Sequence, residues 1–482
     1  MMAKQADPRL MQAMQAIASG QSQEADALCR LVLAEKKRDD LAMALLAQVC
    51  NQMGKYEEAM QLIRTAIAKN GKRADYHGLL ADMLCTQGDF KSAIVSYDKA
   101  LKYQADHQGV LAGKANAWLR LNEPEKARKL LLPLMNAGNE PVLVATVFAK
   151  ALIATGKSEE AASVLFAHLP AKREPIESRR TLYFTLGKAM ENSGEYQSAF
   201  EAFEEGNKLS SDDFELNTCV QSHDDIIKTF QINTFATLPT STTDGASRVF
   251  IVGMLRSGST LTEQIIDAHP QGKGLGELET LPRVLVNTLG DATLSSMWAS
   301  LSSEQLDSMA GEYLQEASCR TNEKILVDKQ LGNYQFVGVI KKLFPKAKII
   351  HCTRDTLSMG ISCYAQKLPP HTNPWASNLH SIGHYFNEYM RMMQHWEACL
   401  GDDMLRVSYE ELVANQEKTT REILDFCGLQ FDPKCLEFWK SGRTVLTLSQ
   451  DQVRQPMYTS SVVRHERFGN LLDPLRDALG CE

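Results

Sequence analysis

Small residues recur through the first half of the chain at a spacing that leaves few folds open. A Gly-x4-Ala pattern appears at Gly20/Ala25, Gly54/Ala59, Gly88/Ala93, Gly156/Ala161 and Gly194/Ala199, with Asn122/Ala127 as a variant, and the alanines lie 34, 34, 34, 34 and 38 residues apart. A second small residue sits twelve positions before each alanine: Ala13, Ala47, Ala81, Ala115, Ala149 and Gly187. A larger apolar residue follows four positions after most of them, as at Ile63, Tyr97, Leu131, Leu165 and Phe203. Helices that cross closely need a small side chain at the crossing, and Gly or Asn lets a helix end in left-handed backbone. The period predicts stacked pairs of antiparallel helices, an all-α solenoid rather than an irregular bundle.

A 34-residue period with small residues at these offsets resembles the tetratricopeptide repeat. The longer last step falls at Pro170–Pro175, a turn-rich stretch. Asp212 to Phe230 reads as a capping helix, since a solenoid must cover its last apolar face. Stacked repeats curve around a groove that usually takes protein or peptide, and Tyr97 and Trp118 read as packing positions. The polar, turn-rich segment Asn233–Ser247 reads as a linker. The expected domains are residues 1–230 (about six repeats and a cap), a linker at 231–247, and 248–482.

Composition narrows the function classes. At 482 residues the chain calls for two or three domains, and a net charge of −7 gives no support for a nucleic-acid binder. The 11 cysteines are scattered without a CxxC pair, which argues against metal knuckles and a disulfide framework. No signal-peptide apolar region and no run long enough to span a bilayer is evident, so a cytoplasmic protein is expected.

The second half opens on Arg248-Val-Phe-Ile-Val-Gly-Met-Leu-Arg-Ser-Gly-Ser-Thr260. Val249 to Val252 reads as a buried strand, and Leu261, Ile265 and Ile266 mark one face of the helix that follows. A strand–glycine loop–helix unit aims backbone N–H groups and a helix N-terminus at one spot, which suits phosphate or sulfate. The spacing Gly253-x4-Gly258-x-Thr260 is one residue from a Walker A loop, because Ser259 stands where Lys belongs. Arg256 is the cation of this loop. Further strands are expected at Ile325–Val327, Lys348–Cys352 and Met404–Ser408, each ending in polar residues, with helical patterns between them such as Tyr334–Leu343 and His384–Cys399. That alternation implies a central parallel sheet whose ligand lies beyond the strands' carboxyl ends, where Arg256, Lys329 and Arg354 would converge.

These residues resemble a family. The second half is similar to sulfotransferases that use 3′-phosphoadenosine 5′-phosphosulfate (PAPS), on the tyrosylprotein sulfotransferase branch, and the whole chain resembles the bacterial tetratricopeptide-repeat sulfotransferases. Arg256-Ser-Gly-Ser-Thr260 matches the 5′-phosphosulfate loop, Arg354 with Ser362 the 3′-phosphate pair, Asp328-Lys329 the strand-end lysine, and Gly276-Glu277 the catalytic carboxylate. Gln452–Tyr458 and Ser460–Arg464 match the C-terminal loop over the cofactor. Leu255, Ser259, Leu331, Val463 and His465 depart from the family's usual residues, the last beside the acceptor entrance.

The resemblance implies an α/β, P-loop-like sulfotransferase domain behind the solenoid, with PAPS as co-substrate and no metal. Arg256, Ser257, Gly258, Ser259 and Thr260 would hold the phosphosulfate, Arg354 and Ser362 the 3′-phosphate, and Ser461 and Arg464 would bind the cofactor from the C-terminal loop. Lys329 would offset charge on the bridging oxygen and Glu277 would take the acceptor's proton, with Glu279 the alternative base. The acceptor is expected to be a hydroxyl: a protein tyrosine brought by the repeats, or one on a small molecule, carbohydrate or lipid. A nucleotide kinase is disfavoured by the missing Lys, and a non-catalytic nucleotide-binding scaffold is the remaining alternative. His380 and His384 have helical i,i+4 spacing, but without an evident third ligand they read as helix positions, not metal ligands.

Overall fold

The structure, a computed structural model, describes residues 7–138, 140–169, 173–210, 214–290, 294–318, 323–440, 456–457 and 462–480. The chain forms two compact units, one reaching Ala202 and the other starting at Phe203.

The first unit is helical throughout its described elements, built from antiparallel pairs joined by tight turns. Each residue expected to end a first helix, Gly20, Gly54, Gly88, Asn122, Gly156 and Gly194, has positive φ. The alanines of the pattern are buried at the crossings, as are Ala13, Ala47, Ala81, Ala115 and Ala149. Four helices supply most of its groove, α1 (Asp40–Gln52), α2 (Ala74–Thr86), α3 (Gln108–Arg120) and α4 (Val142–Ala154), and Tyr97 joins them from the helix Phe90–Tyr103.

The second unit begins earlier than the expected catalytic domain. Helix α5 (Leu216–Thr229) falls in the stretch expected as a cap, of which Asp212 and Asp213 lie outside the described residues. It packs inside the second unit: His223 Nε2 lies 3.2 Å from the Tyr334 hydroxyl, and Asp224 pairs with Arg391 at 2.8 Å. Phe230 is buried against Trp298 and Trp396, with ring centroids 5.2 and 5.9 Å away. The segment expected as a linker is fastened to the same unit. Ser241 N–H donates to Lys342 O at 2.8 Å, Thr242 N–H to Asp307 at 2.7 Å, and Lys346 pairs with Asp244 at 2.7 Å. Polar composition suggested a tether, but these polar groups face specific partners on the α/β unit.

The sheet is fully parallel: β1 (Arg248–Gly253), β2 (Gly272–Gly276), β3 (Ile325–Asp328), β4 (Lys348–Thr353) and β5 (Met404–Ser408), in the order β2-β3-β1-β4-β5. Every residue of the central strand β1 is buried, as its unbroken apolar run requires. Strand β2 was not anticipated, since Gly-Lys-Gly-Leu-Gly has low β-propensity. It needs glycine because a Cβ at Gly272 would lie 2.3 Å from Ile266 O, at the end of helix α6 (Ser259–Asp267). The expected helix Tyr334–Leu343 is a 3-10 turn, Leu331–Phe336, running into a short helix, Val337–Leu343. Helices α7 (Thr356–Tyr364) and α8 (Leu379–Leu400) follow β4. Met392, Met393 and Trp396 are buried along α8, while His380 and His384 are exposed. The chain leaves β1 toward β2 on one side and later crosses to β4 on the other. That direction change opens a crevice at the carboxyl ends of β1 and β4.

Candidate active site

The crevice is floored by the loop between β1 and α6. Arg256 has φ +72°, a left-handed conformation unusual for a residue with a Cβ, and Gly258 has φ +95°. A Cβ at Gly258 would meet Tyr409 Cδ2 at 2.8 Å, so glycine is required by both backbone and neighbour. The N-cap residue of α6 is Gly258, which has no side chain to cap the helix. Ser257 is 1 % exposed and its Oγ finds no hydrogen-bond partner among the described residues. An uncapped helix start beside an orphaned buried hydroxyl is a site with donors to spare, which suits a multiply charged oxyanion. Ser259 and Thr260 begin α6 and are buried against the same loop.

Arg354 follows β4 and ties the two sides of the crevice together. Its Nη1 donates to Arg256 O at 3.1 Å, and its guanidinium lies 4.5 Å from the centre of the Tyr409 ring. Tyr409 thus supports both the loop glycine and the arginine. Its place right after a strand could have pointed to it.

Helix α7 presents two serines one turn apart to the C-terminal segment. Arg464 Nη1 donates to Ser362 Oγ at 3.1 Å, and Ser358 Oγ donates to Val462 O at 2.9 Å. Having donated its only proton there, Ser358 must accept from His465 Nδ1, 2.8 Å away; Asp355 Oδ1 lies 3.2 Å from the same nitrogen. The proton is therefore on Nδ1. Arg354, Ser362 and Arg464 are thus gathered around one helix. Ser358 went unrecognised, though it stands four residues before Ser362, on the same helical face, and its contact with His465 was not foreseen. Ser461 lies outside the described residues, as do residues 441–455 and 458–460.

At the other flank of the loop, Lys329 is 0 % exposed at the end of β3, and its Nζ forms an ion pair with Glu277 Oε1 just past β2. Glu277 keeps 44 % of its side chain exposed, so one end of the pair is dry and the other open to a reactant. Glu279 turns elsewhere and accepts from exposed Gln330 Nε2 at 2.8 Å. Beneath the lysine, buried Asp328 accepts from Tyr313 Oη at 2.9 Å and from Gln330 N–H at 2.9 Å, which fixes the backbone carrying Lys329. Burial pushes the Asp328 carboxyl up to about 7. Burial also lowers His351 to about 4 and raises the Cys352 thiol to about 12, so these two β4 residues are neutral supports at neutral pH. Among the described residues no group of three or more His, Cys, Asp or Glu is placed to hold a metal ion. No helix among them is long and apolar enough to cross a membrane.

Residues 248–433 match the sulfotransferase family model, and residues 16–83 and 84–147 match that of the tetratricopeptide repeat. Tetratricopeptide repeats thus precede a domain of the sulfotransferase family. An uncharacterized protein of Aquifex aeolicus (strain VF5) is 30% identical over 388 residues, covering 77% of this chain and 50% of its own length. Protein-tyrosine sulfotransferase A of Caenorhabditis elegans is 26% identical over 255 residues, covering 46% of this chain and 62% of its own length. The chain therefore spans half to about three-fifths of these relatives. The sulfotransferase domain from the Synechococcus PCC 7002 olefin synthase aligns with a TM-score of 0.35 at 19% identity, over 51% of this chain and 96% of that one.

Proposed function

We propose that the chain is a sulfotransferase that moves a sulfuryl group from PAPS to an acceptor hydroxyl, with protein tyrosine the acceptor and the repeats recruiting the polypeptide. The observation that carries the reading is the Lys329–Glu277 pair, a buried cation and a half-exposed carboxylate at adjacent strand ends beside an uncapped glycine loop. The relation to a protein named as a protein-tyrosine sulfotransferase supports the acceptor class. The free cysteines of the described residues support a reducing, cytoplasmic setting.

When bound, PAPS supplies an SO3 unit joined through an oxygen to a phosphate leaving group. The loop N–H groups, the Ser257, Ser259 and Thr260 hydroxyls and Arg256 would hold the anion. Ser257 Oγ, orphaned in the fold, gains a partner there. Arg354, Ser362 and Arg464 present two planar forks and a hydroxyl to the 3′-phosphate, which sets the nucleotide's register. Glu277 accepts the proton of the attacking hydroxyl from the open side. Lys329, held dry and pointed toward Glu277, stabilises the negative charge that grows on the departing oxygen, where low polarity makes a cation most effective.

The test uses 35S-labelled PAPS with tyrosine-containing peptides and counts labelled product. Glu277→Gln should slow turnover by about a hundredfold, within the range for losing a general base. Glu279→Gln should change it less than about threefold, the cost of an exposed hydrogen bond. Equal losses in the two variants would remove Glu277 as the base, and absence of transfer by the intact chain to any hydroxyl would overturn the reading.

A further inference from the structure

The groove of the repeat unit has a volume of roughly 570 Å³ and a chemistry that the 34-residue period arranges in rows. One row, each member 34 residues from the last, is Gln48, Asp82, Asn116 and Lys150, one from each of α1 to α4. A second row is Leu45, Leu79, Gly113 and Val147, apolar except at its third member. The exception has a cause. A Cβ at Gly113 would lie 2.7 Å from the Tyr97 hydroxyl, so glycine is what lets that tyrosine reach the groove. The Tyr97 hydroxyl donates to Asp82 Oδ1 at 2.5 Å. Gly113 therefore leaves a notch in the apolar row with a carboxylate at its edge.

Asp82 is reachable from solvent yet walled in by the groove, and enclosure raises its carboxyl above the usual range. Its neighbour Asp75 is balanced by Arg73 at 2.6 Å, but no Lys or Arg of the described residues lies within ion-pair distance of Asp82. His107, which also lines the groove, accepts from Val110 N–H through Nδ1 and so carries its proton on Nε2 when neutral. The groove thus offers a carboxylate oriented by one hydroxyl and lacking a strong cationic partner. In the row it sits between Gln48 and Asn116, whose amides both donate and accept, as a peptide main chain does.

We infer that the groove binds an extended polypeptide that seats one Lys or Arg side chain in the notch at Gly113, against Asp82 and Tyr97, with Gln48 and Asn116 holding the main chain on either side. The cation supplies the charge Asp82 lacks, and its aliphatic stem lies along Leu79 and Val147. This deepens the recruiting role proposed for the repeats and rests on it, but does not depend on sulfuryl transfer.

Fluorescence anisotropy on the full chain tests it, with four labelled, N-acetylated decapeptides of Ala, Ser, Gln and Leu that differ only in a central Lys, Arg, Ala or Glu. The Lys and Arg peptides should bind at least about fivefold more tightly than the Ala peptide, the scale of a partly exposed ion pair, and the Glu peptide least. Asp82→Asn, which keeps an acceptor for Tyr97, should bring the Lys and Arg peptides to the level of Ala. Asn116→Ala should weaken all four alike. The inference is overturned if no peptide binds, if the four bind equally, if the preference survives Asp82→Asn, or if lysine methyl ester competes as well as the Lys peptide. Binding of adenosine 3′,5′-bisphosphate, measured on the same preparation, separates the two readings. Nucleotide binding without peptide selectivity rejects the groove proposal alone, and selectivity without nucleotide binding rejects the sulfotransferase reading alone.

Discussion

The repeat unit and the α/β unit solve the burial of polar backbone in opposite ways. In the repeats, each solution is used again every 34 residues: a small side chain at the crossing and left-handed backbone at the turn. Asn122 serves where five other repeats use glycine, at φ +61°. In the α/β unit each solution is used once. Gly258 fits under Tyr409, Lys329 reaches Glu277 from a dry strand end, and Arg354 joins the loop to the ring. Repetition spreads a requirement across many positions. A site concentrates it on a few.

The contrast predicts unequal consequences for single changes. The largest is expected at Lys329→Met, which keeps an unbranched side chain in the buried slot and removes the charge. Turnover should fall by about a thousandfold, the scale of losing one preorganised electrostatic stabiliser, with little change in nucleotide affinity. Transfer assays with the variant check this, and a loss in binding alone would assign Lys329 to the ground state.

A second effect concerns pH. Burial favours the protonated carboxyl of Asp328 in the fold, up to about 7, whereas the free side chain ionises near 3.8. Between those values the folded state holds the extra proton, so stability should fall as pH rises through the window and level off on either side. Urea titrations of the intact chain minus those of Asp328→Asn should slope downward from about pH 4 to 7, by on the order of 2–4 kcal/mol. Equal slopes would mean that the donors from Tyr313 and Gln330 keep the carboxylate ionised despite burial.

The smallest effect is expected in the repeats. Ala81→Leu overfills one crossing of several and should destabilise the first unit by about 1–3 kcal/mol, leaving nucleotide binding unchanged. Denaturation of the first unit, followed beside a nucleotide-binding assay, measures both. Loss of nucleotide binding in this variant would break the division between a distributed and a concentrated architecture.

Much of this was legible in the sequence, for physical reasons that also explain the omissions. The repeat turns and buried alanines follow from local rules, and a period makes local signals add. Four strands showed as apolar runs with polar ends, which also located Arg256, Lys329 and Arg354. Strand β2 did not, because close approach to Ile266 replaced its side chains by glycine. Helix α5 and residues 231–247 read as cap and tether because their partners, Tyr334, Asp307 and Lys342, stand far away in the chain. The same distance hid the contact between Ser358 and His465, 107 residues apart in sequence and 2.8 Å apart in space. Spacing alone did not rank Glu277 and Glu279; the resemblance favoured Glu277, and the two carboxylates meet different partners.

The central claim is that the uncapped loop and its arginines form a cradle for a phosphosulfate nucleotide, with Ser259 in its proper place rather than a missing Lys. Differential scanning of the full chain with adenosine 3′,5′-bisphosphate, against ATP with magnesium, addresses it most directly. At 100 times its Kd the bisphosphate should stabilise the second unit by about 2.7 kcal/mol, and replacing Arg354 by Ala should abolish the shift. Stabilisation by ATP and magnesium alone, with none from the bisphosphate, would contradict the account.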